Sequence, residues 1–371
     1  MSRYLYYHVL YVGMINIMMF VPYLLVRDRF EGAISGMLVA VGISTALSLG
    51  IVACFGRFPG MGFPEINDLY LPRWLWSFNL LFGGLCVWLP AGIIVIYSYA
   101  ETSRLFFYPD MNPYVNLFLL AGASVWASSR STRTVQFIQE IAMIVITPML
   151  ILFLIKAMFD DNMDWDAIRY VAGYVRKPPS FVAIASGTFL FSGYMNLVIS
   201  NRLHVKRIRF RWIIPVFGTL FLAITFFVPI GFHGTQGVED YVYLWSMTAD
   251  SMALDYGFIN RVLYVFLLMF TGISLLFIMN TWHTAILFVR YALNRYKGVE
   301  EESVSGLNVW MSAAIGILAF VYMSCMNPER NQLMSQLWII IRFFAEIATL
   351  FLMVYFVRKR IKQTEKEKAL E

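Results

Sequence analysis

What most constrains this chain is a succession of mostly apolar runs, each about as long as a lipid bilayer is thick. A helix needs roughly 20 such residues to cross the hydrocarbon core. Nine runs meet that need: Tyr4–Val26, Ala33–Phe55, Leu75–Ala100, Val135–Met158, Phe181–Ser200, Ile213–His233, Ile259–Val289, Leu307–Cys325 and Ser335–Val357. A tenth, Tyr114–Ala127, is shorter; counting it gives an even number of spans and keeps the basic loops on one side. A water-soluble fold does not hide 371 residues of which 59% are hydrophobic and 14% charged, so lipid is the expected solvent. The first run carries Asn16 and is not followed by a small-residue cleavage site, which reads as a retained helix and not as a signal peptide.

Alternating loops sort the basic residues. Nineteen Lys and Arg fall in the segments on the side of the N-terminus and nine on the other, with Arg342 inside the last span as the twenty-ninth. That bias places both termini in the cytoplasm of a multi-pass membrane protein. The densest basic run, Arg202 to Arg211, abuts a span. It reads as topology and anionic-lipid contact, not as a nucleic-acid site. Cys54, Cys86 and Cys325 all lie in apolar runs without metal or disulfide spacing, which suits small core residues. Residues 1–357 form a single membrane domain, followed by a charged tail over 358–371. The connections 64–74 and 238–256 mix aromatic and charged side chains, as interfacial helices do.

Ten spans divide into two halves of five, roughly 1–158 and 180–357. An odd number per half makes the second insert upside down relative to the first, and solute then binds at the midplane between them. The first helix of each half is the one expected to be interrupted. Span 1 carries Gly13 between Val12 and Met14, then Asn16 and Pro22; span 6 carries Ser186, Gly187 and Thr188, then Ser192 and Gly193. Glycine weakens a helix by about 1 kcal/mol relative to alanine and lets a ligand or a neighbouring helix reach the backbone. Either use fits these positions.

Charge in hydrocarbon costs roughly 3 kcal/mol or more, which isolates a few residues. Arg342 and Glu346 lie one turn apart on span 10 and are placed to pair, as a structural tie or as a gate. Glu140 enters span 5 with Arg133 seven residues earlier on the same face, a candidate salt bridge or coupling site. On span 8, Asn280, His283 and Thr284 share a face with Thr281 beside them, and His283 has the chemistry of a proton relay or of a packed core residue. Asn16, Tyr97 and Asn196 complete the midspan polar set. The sequence has no HExxH, P-loop or GxSxG motif, and its histidines at 8, 204, 233 and 283 are dispersed. Neither an enzyme nor a bound cofactor or metal is expected.

These residues give the chain a resemblance to the B subunit of spore germinant receptors, the GerAB family. The likeness runs over nearly the whole length. It rests on Gly13 followed by Pro22, on Arg57-Phe58-Pro59-Gly60 with Glu65 downstream, on Glu140 with Pro148, on the glycine-containing span 6 leading into a basic loop, and on Asn327-Pro328 before span 10. The chain departs from the family at Phe191-Ser192-Gly193-Tyr194, where Pro-Phe-Gly-Glu is common, and at Phe137, where an arginine is usual.

The resemblance implies an all-α integral membrane fold of the LeuT/APC kind: about ten transmembrane helices in a five-plus-five inverted repeat with helices 1 and 6 interrupted. It further implies a nutrient-binding subunit of the spore inner membrane, assembled with an A subunit and a lipoprotein C subunit. Its small ligand, an amino acid by the family pattern, would lie between spans 1, 3, 6 and 8. That points to Gly13, Met14, Asn16, Tyr97, Ser186, Gly187, Thr188, Asn280 and Thr281; the coupling or gating candidates, Glu140, His283, Arg342 and Glu346, come from the intramembrane ionisable residues above. An autonomous, proton-coupled amino-acid permease is the other role such a fold supports.

The topology is open to direct measurement. Reporters active only in the cytoplasm are expected to be active when fused at either terminus and silent when inserted at residue 236; the reverse pattern would invert the assignment.

Overall fold

The computed structural model describes residues 3–106, 110, 112–204, 211–256, 259–293 and 305–368. Residues 205–210 of the basic run, Arg295 and Lys297, and the last residues of the tail lie outside that set. Among the described residues, seven helices are individually long and apolar enough to cross a membrane: Ala33–Phe55, Arg73–Phe106, Thr132–Met158, Ile213–His233, Val262–Ala292, Gly306–Cys325 and Pro328–Glu367. They are spans 2, 3, 5, 7, 8, 9 and 10. Two bent pairs add spans 1 and 6: Arg3–Ile17 with Val21–Arg27, at 53°, and Phe181–Phe189 with Ser192–Leu203, at 58°. Pro113–Ser128 supplies the short span 4, its N-terminus capped by the Asn112 side chain and its length packed along spans 3, 8 and 9. Spans 5 and 9 keep only 28% of their apolar window buried. Apolar surface of that extent is stable only against lipid.

The interruptions sit beyond the glycines that suggested them. Span 1 is continuous through Gly13 and Asn16, its first helix running Arg3–Met18, and Phe181–Phe189 is continuous through Gly187. The break in span 1 falls just before Val21–Arg27, whose first turn contains Pro22. Proline has no N–H and its ring clashes with the carbonyl four residues back, so the helix ends near Met18. In span 6 the break at Leu190 and Phe191 gives way to a 3-10 turn over Ser192–Asn196. There Ser192 Oγ donates to Phe189 O at 2.8 Å and Asn196 Nδ2 to Gly193 O at 3.1 Å, so side chains serve carbonyls that the helix has released.

Gly13 and Gly187 do something else, and they do it equivalently. A Cβ on Gly13 would stand 2.2 Å from the Phe221 ring of span 7, and one on Gly187 would stand 2.8 Å from Ala40 Cβ of span 2. Each glycine lets the first helix of one half press on the second helix of the other. The remaining packing obeys the same exchange: span 5 against span 8 matches span 10 against span 3, and span 4 faces span 9. Short helices Phe63–Tyr70 and Leu244–Ser251 occupy corresponding places between spans 2 and 3 and between spans 7 and 8, as the mixed connections suggested. The five-plus-five repeat is therefore visible in the packing itself.

Three elements were not expected. A two-stranded antiparallel ribbon, Ala253–Tyr256 with Ile259–Arg261, precedes span 8. A π-helical turn, Gly83–Trp88, interrupts span 3. The tail continues the helix of span 10 as far as Lys368.

Among the described residues, the start of span 1 and the extension of span 10 lie on one face. The Tyr4 ring meets His204 edge-on at 6.5 Å, Gly60 N donates to His204 O at 3.1 Å, and Lys359 Nζ donates to Tyr70 O at 3.1 Å.

One tight backbone approach is at Gly193, where a Cβ would come within 2.4 Å of Val9 Cα. Gly193→Ala is expected to lower the unfolding free energy by about 1–3 kcal/mol through overpacking against an immovable backbone. Gly42→Ala, inside the helix Ala33–Phe55 and meeting nothing within 4 Å, is expected to keep or slightly raise thermal stability in detergent.

Candidate functional site

Where span 6 breaks, five spans leave a cleft with about 460 Å³ of space between atoms, part of it open at the mouth. Tyr11 and Val12 come from span 1, Val87, Trp88 and Ala91 from span 3, and Phe277 and Thr281 from span 8. Span 6 supplies Phe189, Ser192, Met195 and Asn196; span 10 supplies Trp338, Arg342, Ala345 and Glu346. Local structure explains several of these positions. The π turn of span 3 carries Val87 and Trp88, and the Val87 carbonyl accepts from Trp338 Nε1 at 2.8 Å; π turns recur at functional sites for this reason. Gly83 and Gly84 let that turn pack on Phe288 of span 8. Trp338 in turn meets Phe189 edge-on at 4.9 Å.

The polar side of the cleft is built on Arg342. Its Nη1 donates to Glu346 Oε1 at 2.7 Å and to Ser192 Oγ at 2.8 Å. Its Nη2 donates to Ala185 O at 2.8 Å and to Thr188 Oγ1 at 2.7 Å. The guanidinium lies 4.9 Å from the centre of the Phe189 ring. Tyr194 OH donates to Glu346 Oε2 at 3.2 Å. Both charges are buried, Arg342 to 3% and Glu346 to 1% exposure, in a network that satisfies most of their hydrogen-bonding capacity. Tyr11 OH donates to Asn196 Oδ1 at 3.0 Å across spans 1 and 6.

Of the ligand, coupling and midspan polar candidates read from sequence, Asn196, Thr281, Arg342 and Glu346 line the cleft. Thr188 touches it through Arg342. Asn16 reaches the break indirectly, its Nδ2 donating to Val12 O at 2.7 Å and Phe189 O at 3.4 Å. Gly13 and Gly187 are helix-packing residues, as above. Met14 and Ser186 are buried, Tyr97 packs edge-on against Tyr322 at 5.8 Å, and Asn280 Oδ1 accepts from Gln136 Nε2 at 3.4 Å; none of these lines the cleft.

The other coupling candidates lie elsewhere. Glu140 pairs with Arg3 at 3.1 Å and not with Arg133, because the start of span 1 packs on span 5. The His283 ring is placed by Ser128 O at 2.9 Å and Thr132 Oγ1 at 3.0 Å, which makes it a tie between span 8 and the turn before span 5.

Sequence reasoning missed span 10 as a wall of the pocket. Its signal was present: Trp338, Arg342, Ala345 and Glu346 recur at helical spacing on one face. It also missed a buried polar group near the termini. His8, Gln136 and Gln139 are buried there beside Glu140.

No protein-family profile matches the chain, and no curated protein matches it. Among solved structures, the chain is similar to a Na+-coupled sialic acid symporter in a substrate-bound, outward-open state. The two are 15% identical over 94% of this chain and 73% of the symporter, with a TM-score of 0.40.

Removing one member of a buried ion pair strands the other. Arg342→Ala is expected to cost about 3–5 kcal/mol, read as a fall in thermal stability. The double variant Arg342→Met with Glu346→Leu is expected to cost less than that single change, because no charge is left unpaired.

Proposed function

We propose that this protein is a transporter-like nutrient-binding subunit of a spore germinant receptor, which converts occupancy of the cleft into a conformational signal. The observation that carries the reading is the cleft itself: an aromatic-walled space with one buried ion pair, formed where span 6 is interrupted and bounded by both halves of the repeat. Few polar groups in an apolar enclosure are what a small-solute site requires. In this reading the protein is not an enzyme; it binds without covalent chemistry. The assignment to a germinant receptor, with A and C subunits as partners in the spore inner membrane and cytoplasmic termini, rests on the sequence resemblance.

The residues that carry the resemblance also suggest a route for the signal. Asn201, at the end of span 6, donates from Nδ2 to Phe58 O at 2.8 Å and to Met61 O at 2.7 Å, holding the turn Arg57-Phe58-Pro59-Gly60. Gly60 adopts φ 76°, the left-handed conformation that glycine tolerates. Arg360 of the span 10 extension donates to Arg57 O and lies 4.9 Å from the centre of the Phe58 ring. Arg202 meanwhile pairs with Glu65 at 2.6 Å. Movement of Ser192 or Asn196 by a ligand would thus be felt at a turn clasped by spans 6 and 10, two of the five that line the cleft.

The interrupted spans also favour a second reading, an autonomous amino-acid permease, since broken helices serve transport as well as sensing.

Deleting the gene in a spore former that has no redundant copy is expected to abolish germination towards at least one small nutrient. Asn201→Ala is expected to retain ligand-induced thermal stabilisation and to lose that germination response. Unchanged germination of the deletion strain to every nutrient would contradict the sensor role. Accumulation of a labelled amino acid by the purified protein in liposomes under a pH gradient would favour the permease.

A further inference from the structure

Arg342 and Glu346 bear on what the cleft selects, given the reading of the cleft as a ligand site. They present opposite charges to it from one helix, with 2.7 Å between Arg342 Nη1 and Glu346 Oε1. Arg342 Nε is buried and has no hydrogen-bond partner, although both Nη atoms are engaged. Glu346 Oε2 accepts from Tyr194 OH, and a carboxylate has about four lone-pair sites, so acceptor capacity is left. Much of the remaining wall is apolar, Val87, Trp88, Phe277 and Trp338 among it.

In such surroundings a ligand of net charge brings in a charge that the already neutral dyad cannot compensate, and burying an unpaired ion is costly. A cation also meets Arg342, and an anion meets Glu346. A solute that carries both signs one carbon apart avoids each penalty. Its carboxylate accepts from Arg342 while its ammonium donates to Glu346, giving four alternating charges that sum to zero. Its side chain then lies against the aromatic wall.

We propose that the span 10 dyad is the charge filter of the cleft, which takes a zwitterion with a compact apolar side chain, such as an aliphatic α-amino acid, and rejects its singly charged analogues. The selection sits on span 10, outside the spans that sequence resemblance implicates.

The test uses the full chain in detergent and follows thermal stability, which a ligand of the native state raises as its concentration exceeds Kd. The probes are valine, leucine and isoleucine, each compared with its deaminated acid and its decarboxylated amine. At least one amino acid is expected to stabilise the protein with an apparent affinity at least about tenfold above both of its analogues. In Glu346→Gln, which keeps the shape and loses the charge, the preference for that amino acid over the deaminated acid is expected to fall by about tenfold or more. Glu140→Gln, outside the cleft, is expected to leave the ratio unchanged.

The wild-type comparison needs no variant to fold. An acid or amine that binds as well as its parent amino acid would overturn the proposal. So would an unchanged ratio in a folded Glu346→Gln protein; either result leaves the cleft a ligand site with its selectivity set elsewhere. No stabilisation by any probe would overturn the zwitterion filter and remove the support for a nutrient site together.

Discussion

A guanidinium at the middle of a helical bundle in lipid must find its compensation inside the bundle, and Arg342 finds it in two places. One is Glu346 on its own helix, a turn away. The other is span 6, whose Ala185 carbonyl and whose Thr188 and Ser192 hydroxyls accept the remaining donors. The dependence is mutual. Span 6 holds its 3-10 turn in part through Arg342, which engages Ser192 at the break, while Thr188 and Ser192 give their own protons to span 6 carbonyls and leave their oxygens to accept. Span 10 has a buried cation because those groups are there to receive it. Breaking the helix, placing the charge and opening the cleft are in this sense one structural event.

The two halves of the molecule reach their interruptions differently. Span 1 is stopped by Pro22, a local and steric cause. Span 6 has no proline at its break, and Ser192, Asn196 and Arg342 sustain the 3-10 turn through hydrogen bonds. The first mechanism is rigid and the second is made of exchangeable polar contacts. A ligand competing for those contacts would act on span 6 first, and span 6 ends near Asn201, which together with Arg360 holds the turn over residues 57–60 from two sides.

The membrane spans were legible because hydrophobic length is summed over many residues, so local errors cancel. The repeat was legible for a similar reason: an odd number of spans per half has geometric consequences whatever the side chains. The exact breaks were not. Gly13 and Gly187 looked like weak points in their helices, yet a missing Cβ serves close packing as readily as unwinding, and only the positions of Phe221 and Ala40 decide between the two. Glu140 was assigned to Arg133 because sequence reveals neighbours along one helix and hides those across helices; its partner is Arg3. The same blindness concealed span 10 as a pocket wall, although the spacing from Trp338 to Glu346 already marked one face.

Whether the break in span 6 and the face of span 10 enclose a space that a solute can enter is the claim on which the rest stands. It is tested most directly by thiol accessibility at Ala345, which lines the cleft, in a protein whose Cys54, Cys86 and Cys325 have been replaced. The account predicts that Ala345→Cys reacts with a small methanethiosulfonate reagent and that a saturating aliphatic amino acid slows the reaction, while Phe351→Cys, on the exposed side of the same helix, is unaffected by that amino acid. A cysteine at 345 that is unreactive, or that reacts at the same rate with and without the amino acid, would contradict it.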